Sequence, residues 1–321
     1  MALSKTGFLW LHIIPLIPSL LLTLFILYHL LKSRPLRSAL NNHVIILMLL
    51  FGLVVELTDV VWFIAFYHNG IALSATPQFC LIWAYIDSSL FVCVSLQMAW
   101  ASIERHILIF YPKLLETPSK RICFHYLPLT FVSVWPLIFY LMMLIIIPCD
   151  EPLNYNRRLC GRYDCVSVIP WIGMFDSIAH YMVPAFIIVV FSIGLFVRVV
   201  YHRYHLHHRI DWRNYRKMAV QLLSISLVYM VLDAPPMVLN AAYLWGLSTD
   251  VAAQYYSDML DLSLWVILFT PFASVTSVPD LKTKSVNALM FWRGRHAVAP
   301  ITVTNTHRAA NQTRTLTRGV H

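Results

Sequence analysis

Residues 80–106 read CLIWAYIDSSLFVCVSLQMAWASIERH. A cysteine opens the stretch, Glu104-Arg105-His106 closes it, and Asp87 is the one charged residue between. At about 1.5 Å of rise per residue, a helix from Cys80 to Arg105 covers roughly 36–38 Å, more than the ~30 Å hydrocarbon core of a bilayer. Its two ends therefore belong to opposite membrane faces. Cys80 lies near two turns before Asp87, and Arg105 about five turns after it, so the three project from one side of one rod. An acid this deep in an apolar span costs at least a few kcal/mol if it faces lipid. Asp87 must then face protein or water, which makes it a candidate functional group.

The rest of the chain agrees with a membrane setting. Of the 321 residues 59% are hydrophobic and only 12% charged, and the mean hydropathy is +0.67, values outside the range of soluble globules. Apolar segments at about 8–31, 42–67, 79–104, 127–148, 168–198, 217–245 and 257–278 are each near or above the ~20 residues a spanning helix needs. The expected fold is an all-α membrane protein, a bundle of seven transmembrane helices. Of the 24 Lys and Arg residues, all but Lys5, Arg157, Arg158 and Arg162 fall on one side of that topology. The positive-inside rule then puts the N-terminus outside and the C-terminus inside. The net charge of +9 reads as a topology signal and carries no nucleic-acid meaning.

This topology divides the chain into a short outer N-terminus (1–7), the seven-helix domain (8–278), a juxtamembrane amphipathic helix (279–296) and a polar, threonine-rich tail (297–321) of the composition of disordered segments. The first helix lacks a following small-residue cleavage site and is expected to be retained. The one substantial outer loop, about 149–167, holds acids, arginines and Cys149, Cys160 and Cys165; with Cys80 these form the outer cysteines, for which three pairings exist. It is the expected lid. Prolines at 15, 18, 136, 184, 235, 236 and 271 each remove a backbone donor and mark places where a helix bends.

Seven helices in this orientation, and a third span bracketed by an outer cysteine and an inner acid-Arg pair, resemble the rhodopsin-like (class A) G-protein-coupled receptors over about residues 8–292. The interval from Cys80 to Arg105 matches that between the third-helix cysteine and the arginine of the family's Asp/Glu-Arg-Tyr motif, with His106 for tyrosine. Trp135, Pro184, Pro235 and Thr270-Pro271 fall where the fourth to seventh helices carry their landmarks. The resemblance implies a disulfide from Cys80 to the long outer loop, with Cys165 the preferred partner. It places Asp87 where amine receptors pair a ligand ammonium, a charge-assisted bond stronger than a neutral one, with Asp176, Ser177 and His180 on the fifth-helix face of the same pocket; the alternative for Asp87 is an ion pair with His180 or a neighbouring helix. It implies that Glu104 holds Arg105 when the receptor is inactive and that Arg105 meets a heterotrimeric G protein when it is active.

The departures are as informative. The second-helix acid of the family's sodium site falls at Gly52, the seventh-helix asparagine and tyrosine at Thr270 and Ser274, and the fifth-helix tyrosine at Ser192. Leu232 and Asp233 stand where the sixth helix has Cys-Trp before its proline. A buried acid needs a partner or must hold its proton, so Asp233 beside Pro235 and Pro236 is either a polar switch or a bond to a freed carbonyl. With Glu104, Arg105, His106, Pro235 and Pro271 it makes up the expected switch set.

Two other classes compete. His202, His205, His207 and His208 sit at metal-ligand spacing, but a membrane metalloenzyme of the di-iron type needs several such clusters, and a basic tract among lipid headgroups accounts for this one. The buried acids could line a cation channel or transporter, although most lie toward the outer half, as in a pocket open to one side. No lysine lies in the seventh helix to hold retinal. The sequence therefore predicts a multi-pass plasma-membrane receptor, not an enzyme and without metal or cofactor. The resemblance implies that it binds an extracellular small amine or peptide and activates a heterotrimeric G protein, and its composition places it in the lipid bilayer.

Overall fold

The structure is a computed structural model that describes residues 4–147, 152–162, 169–205, 224 and 226–275. Among these residues there are helices and no strands. Five helices are long and apolar enough to cross a membrane: α1 (Lys5–Lys32), α2 (Leu40–Asn69), α3 (Pro77–Phe110), α4 (Pro118–Ile146) and α5 (Trp171–Arg198). Their ends follow local chemistry. Ser4 caps α1 by accepting from the Gly7 amide at 3.1 Å, Thr76 caps α3 with Pro77 in its first turn, and α2 stops at Gly70, whose φ of 74° is left-handed. A glycine takes that conformation without the steric cost other residues meet.

The sixth and seventh apolar segments are broken. The sixth is α6 (Ser226–Leu232) and α7 (Ala234–Leu244), bent by 47° at Asp233. Pro235 and Pro236 lack amide hydrogens, so the carbonyls a turn earlier lose their donors and the rod kinks there. The seventh is α8 (Ala253–Leu262) and α9 (Trp265–Ser274), each too short to span alone. The expected juxtamembrane helix 279–296, the tail 297–321 and Cys149 and Cys165 lie outside the described residues, as do the side chains of the His202–His208 tract.

α3 is the axis, packed against α2, α4 and α5, while α9 returns to α1 and α2, and α7 joins α5 to α8. Its buried positions are rich in small residues, Ala84, Ser88, Ser89, Ser95, Ala99, Ala101 and Ser102, which let neighbouring backbones approach. Gly52 of α2 does the same against α9: a Cβ there would stand 3.4 Å from Ile267 Cγ2. Polar side chains lock the contacts. Gln97 donates to Ser133 Oγ at 2.8 Å, Ser95 bonds the Tyr229 hydroxyl at 2.9 Å, and Ser192 bonds Ser226 at 2.6 Å. One turn beyond Gly52, the buried Glu56 accepts from Ser19 and Thr23 of α1, and Ser19 also donates to the Leu268 carbonyl of α9 at 2.8 Å. Each such bond between helices is worth about 0.6 kcal/mol on average in a membrane, so together they fix register more than they supply stability.

Candidate functional site

The site is built from the 152–162 loop inward. Cys160 is bonded to Cys80 at the start of α3. The loop folds back on itself through Asn154 N–H to the Cys160 carbonyl at 2.9 Å and is pinned from outside by the Ala72 amide to the Tyr155 carbonyl at 2.8 Å. Leu159 and Cys160 sit in the left-handed region with φ of 50° and 55°, which non-glycine residues keep only where surrounding contacts hold them; here both side chains are buried. The expected Cys80–Cys165 pairing is corrected: the sharp turn at Leu159-Cys160 brings Cys160 to the end of α3.

This turn aims Arg158 between three helices. Its Nη1 donates to Asp261 Oδ1 of α8 at 2.9 Å and its Nη2 stands 3.7 Å from Asp87 Oδ1 of α3. The guanidinium lies over the Phe63 ring of α2, 4.9 Å from its centroid. Burial alone pulls down the tendency of this guanidinium to stay charged, but Asp261, Asp87 and their neighbours outweigh it and hold its pKa above the ordinary arginine value. Behind Asp87, Asp59 accepts from Trp83 Nε1 at 2.8 Å and leaves its second oxygen without a hydrogen bond.

Beneath the loop is a cavity of about 730 Å³ whose wall includes Asp87, Arg158, Asp176, Ser177, Tyr181 and Asp233. On the α5 side, Asp176 Oδ1 accepts from Tyr140 at 2.6 Å and from His180 Nδ1 at 2.7 Å, while Trp135 Nε1 donates to His180 Nε2 at 2.9 Å. Indole can only donate, so His180 carries its proton on Nδ1 and is neutral. His180 therefore stands behind the wall, positioning Asp176, and does not pair with Asp87. Asp233 also lines the cavity, yet its oxygens are sealed from water and make no hydrogen bond to a described residue. Its near neighbour Tyr229 is engaged with Ser95. A buried acceptor left unsatisfied costs about 1–3 kcal/mol. Asp233→Leu is accordingly expected to raise stability by about 1–2 kcal/mol, read as a higher unfolding midpoint in detergent; a lowered midpoint would show that the carboxyl has a partner in solution.

At the other end of α3, Glu104 does not hold Arg105. It bonds His125 Nδ1 of α4, whose Nε2 meets His43 Nδ1 of α2 at 2.9 Å, and His43 Nε2 faces the Arg37 carbonyl at 3.0 Å. Three bonds need three protons. Whichever atoms carry them, the proton inventory of one carboxyl and two imidazoles makes the Glu104–His125–His43 chain electrically neutral. Arg105 is left buried with Nη1 unpaired, and His106 donates from Nε2 to the Phe191 carbonyl of α5 at 2.7 Å. Pro235 opens α7 and Pro271 lies inside α9.

The structure thus brings Asp87, Asp176, Ser177 and Asp233 to one cavity and keeps Glu104, Arg105 and His106 at the opposite end of α3. It adds Arg158, Asp59, Asp261, His43 and His125, which no spacing rule singled out. The available signal for Arg158 was its place among the few basic residues on the sparsely basic side, two positions before a cysteine. No protein-family model and no curated protein matches the chain.

Proposed function

We propose that the chain is a seven-helix receptor of the rhodopsin-like, G-protein-coupled type, in the plasma membrane with its N-terminus outside and C-terminus inside. The broken α6–α7 and α8–α9 segments serve as the sixth and seventh spans. The ligand is a small amine or a peptide with a basic group, taken up in the cavity under the 152–162 loop. The observation that carries this reading is the division of labour along α3. One end lines a roomy cavity whose wall bears the acids Asp87 and Asp176 against the single arginine Arg158, and the other end presents a buried Arg105 with hydrogen-bonding capacity in hand. A cavity with surplus negative charge favours cations. The bend at Asp233 offers a hinge through which its occupancy biases the Arg105 end.

The test is a panel of organic amines and basic peptides applied to cells expressing the chain with a G-protein activation reporter. A ligand-dependent response that falls roughly ten-fold or more in Arg105→Ala, within the usual range of coupling between sites, supports the proposal. A response that survives that substitution, or a ligand-gated cation current in place of G-protein activation, overturns it; the current would favour the channel alternative.

A further inference from the structure

We propose that Arg158 is an internal ligand: the 152–162 loop carries its own guanidinium into the cation seat formed by Asp87 and Asp261, and an external ammonium or guanidinium compound enters by displacing it. The inference deepens the receptor reading and rests on it for the direction of access.

The seat has the makings of an organic-cation site. Two carboxylates on different helices face one position, Asp261 at 2.9 Å and Asp87 at 3.7 Å from the guanidinium, and an aromatic face, Phe63, lies under it at 4.9 Å. Carboxylates supply charge-assisted bonds and the ring supplies cation–π attraction. The occupant is held incompletely. Asp87 is beyond hydrogen-bond distance, Arg158 Nε has no hydrogen bond, and the side chain, 29% exposed, forms part of the cavity wall. A ligand in the cavity therefore meets Arg158 directly. Asp233 is no rival seat, because its oxygens are closed to the cavity.

The tether gives Arg158 its advantage. Two residues on, Cys160 is bonded to Cys80, itself near two turns from Asp87 on α3, and the Ala72–Tyr155 bond fixes the far side of the loop. A group tethered this closely competes at an effective concentration on the order of millimolar. The apparent affinity for any free cation is then reduced by the fraction of time the seat stands empty. Removing Arg158 leaves a seat whose natural filler is a soluble guanidinium.

Methylguanidine is the probe, and the full-length chain in lipid nanodiscs is titrated by calorimetry and by thermal unfolding. Arg158→Ala is expected to bind methylguanidine about ten-fold or more tighter than the wild type, with a ligand-induced rise in unfolding midpoint. N-methylurea, its neutral counterpart, is expected to give no such rise, and adding Asp261→Asn to remove the gain. Folded Arg158→Ala that binds no tighter than wild type, or that takes methylurea equally well, overturns the proposal. Should Arg158→Ala fail to fold, Arg158→Lys decides. A lysine ammonium replaces the planar guanidinium by a point charge without its fork of donors and holds the seat less well, so tighter binding by about three-fold supports the inference and unchanged binding overturns it. The readout is independent of signalling. A receptor that responds through Arg105 but shows no gain on loss of Arg158 refutes this inference alone, and a gain without any G-protein response refutes the receptor reading alone.

Discussion

Replacing His125 by alanine is expected to destabilise the protein by about 3–5 kcal/mol, the range for breaking a buried pair and leaving one partner uncompensated. For a chain of this size that is a fall in unfolding midpoint on the order of 10 °C. Both His125 and Glu104 are buried, with exposures of 0% and 1%. Without the imidazole, Glu104 must be buried as an unpaired anion or take up a proton, and His43 loses its ring partner. The Glu104→Gln, His125→Ala double variant is expected to recover part of the loss, since a neutral amide is cheaper to bury than a carboxylate. Thermal unfolding of the four proteins of the cycle checks this. A loss below about 1 kcal/mol for His125→Ala, a value usual for exposed pairs, would mean that Glu104 has another partner and that Arg105 regains its claim on it.

The second large effect concerns the disulfide. It closes a loop with a sequence separation of 80 residues, for which the chain-entropy relation gives about 4.5 kcal/mol. In a bilayer the unfolded reference is already restricted, so the expected loss for Cys160→Ser is about 2–4 kcal/mol. Non-reducing peptide mapping should recover Cys80 joined to Cys160 in the wild type and in Cys165→Ser, and should lose that peptide in Cys160→Ser. A Cys80–Cys165 peptide would displace the assignment, and Arg158 with it, because the position of the guanidinium depends on the turn that presents Cys160.

Much of the helical architecture was legible in the sequence. Twenty or more consecutive apolar residues admit one conformation in a membrane, the one that satisfies its backbone hydrogen bonds locally. The first five spans emerge as expected for that reason, with α3 as the axis. The break in the sixth segment was signalled by Pro235-Pro236, but the size of a bend depends on what packs against it, and no bend mark pointed to the break between α8 and α9. At the cavity, Asp87 was marked by the cost of exposing an acid to lipid, whereas Asp176 and Ser177 were suggested only by the family resemblance; all three line it. What failed were pairings. Glu104 and Arg105 are adjacent, and adjacent residues on a helix point about 100° apart, so the acid turned to α4 and the arginine inward.

The stretch 80–106 by itself determined that this protein has a membrane-length rod with a cysteine at one end, an acid within it, and an acid-arginine pair at the other end. These are properties of composition and of the 3.6-residue turn, which need no other part of the chain. Only the tertiary structure decided who answers each group: Cys160 for Cys80, Arg158 for Asp87, His125 for Glu104. Those partners lie 21 to 80 positions away through loops and kinked helices, and no local rule reaches across them, because a side chain's partner is set by where two backbones cross and not by the distance between them in sequence.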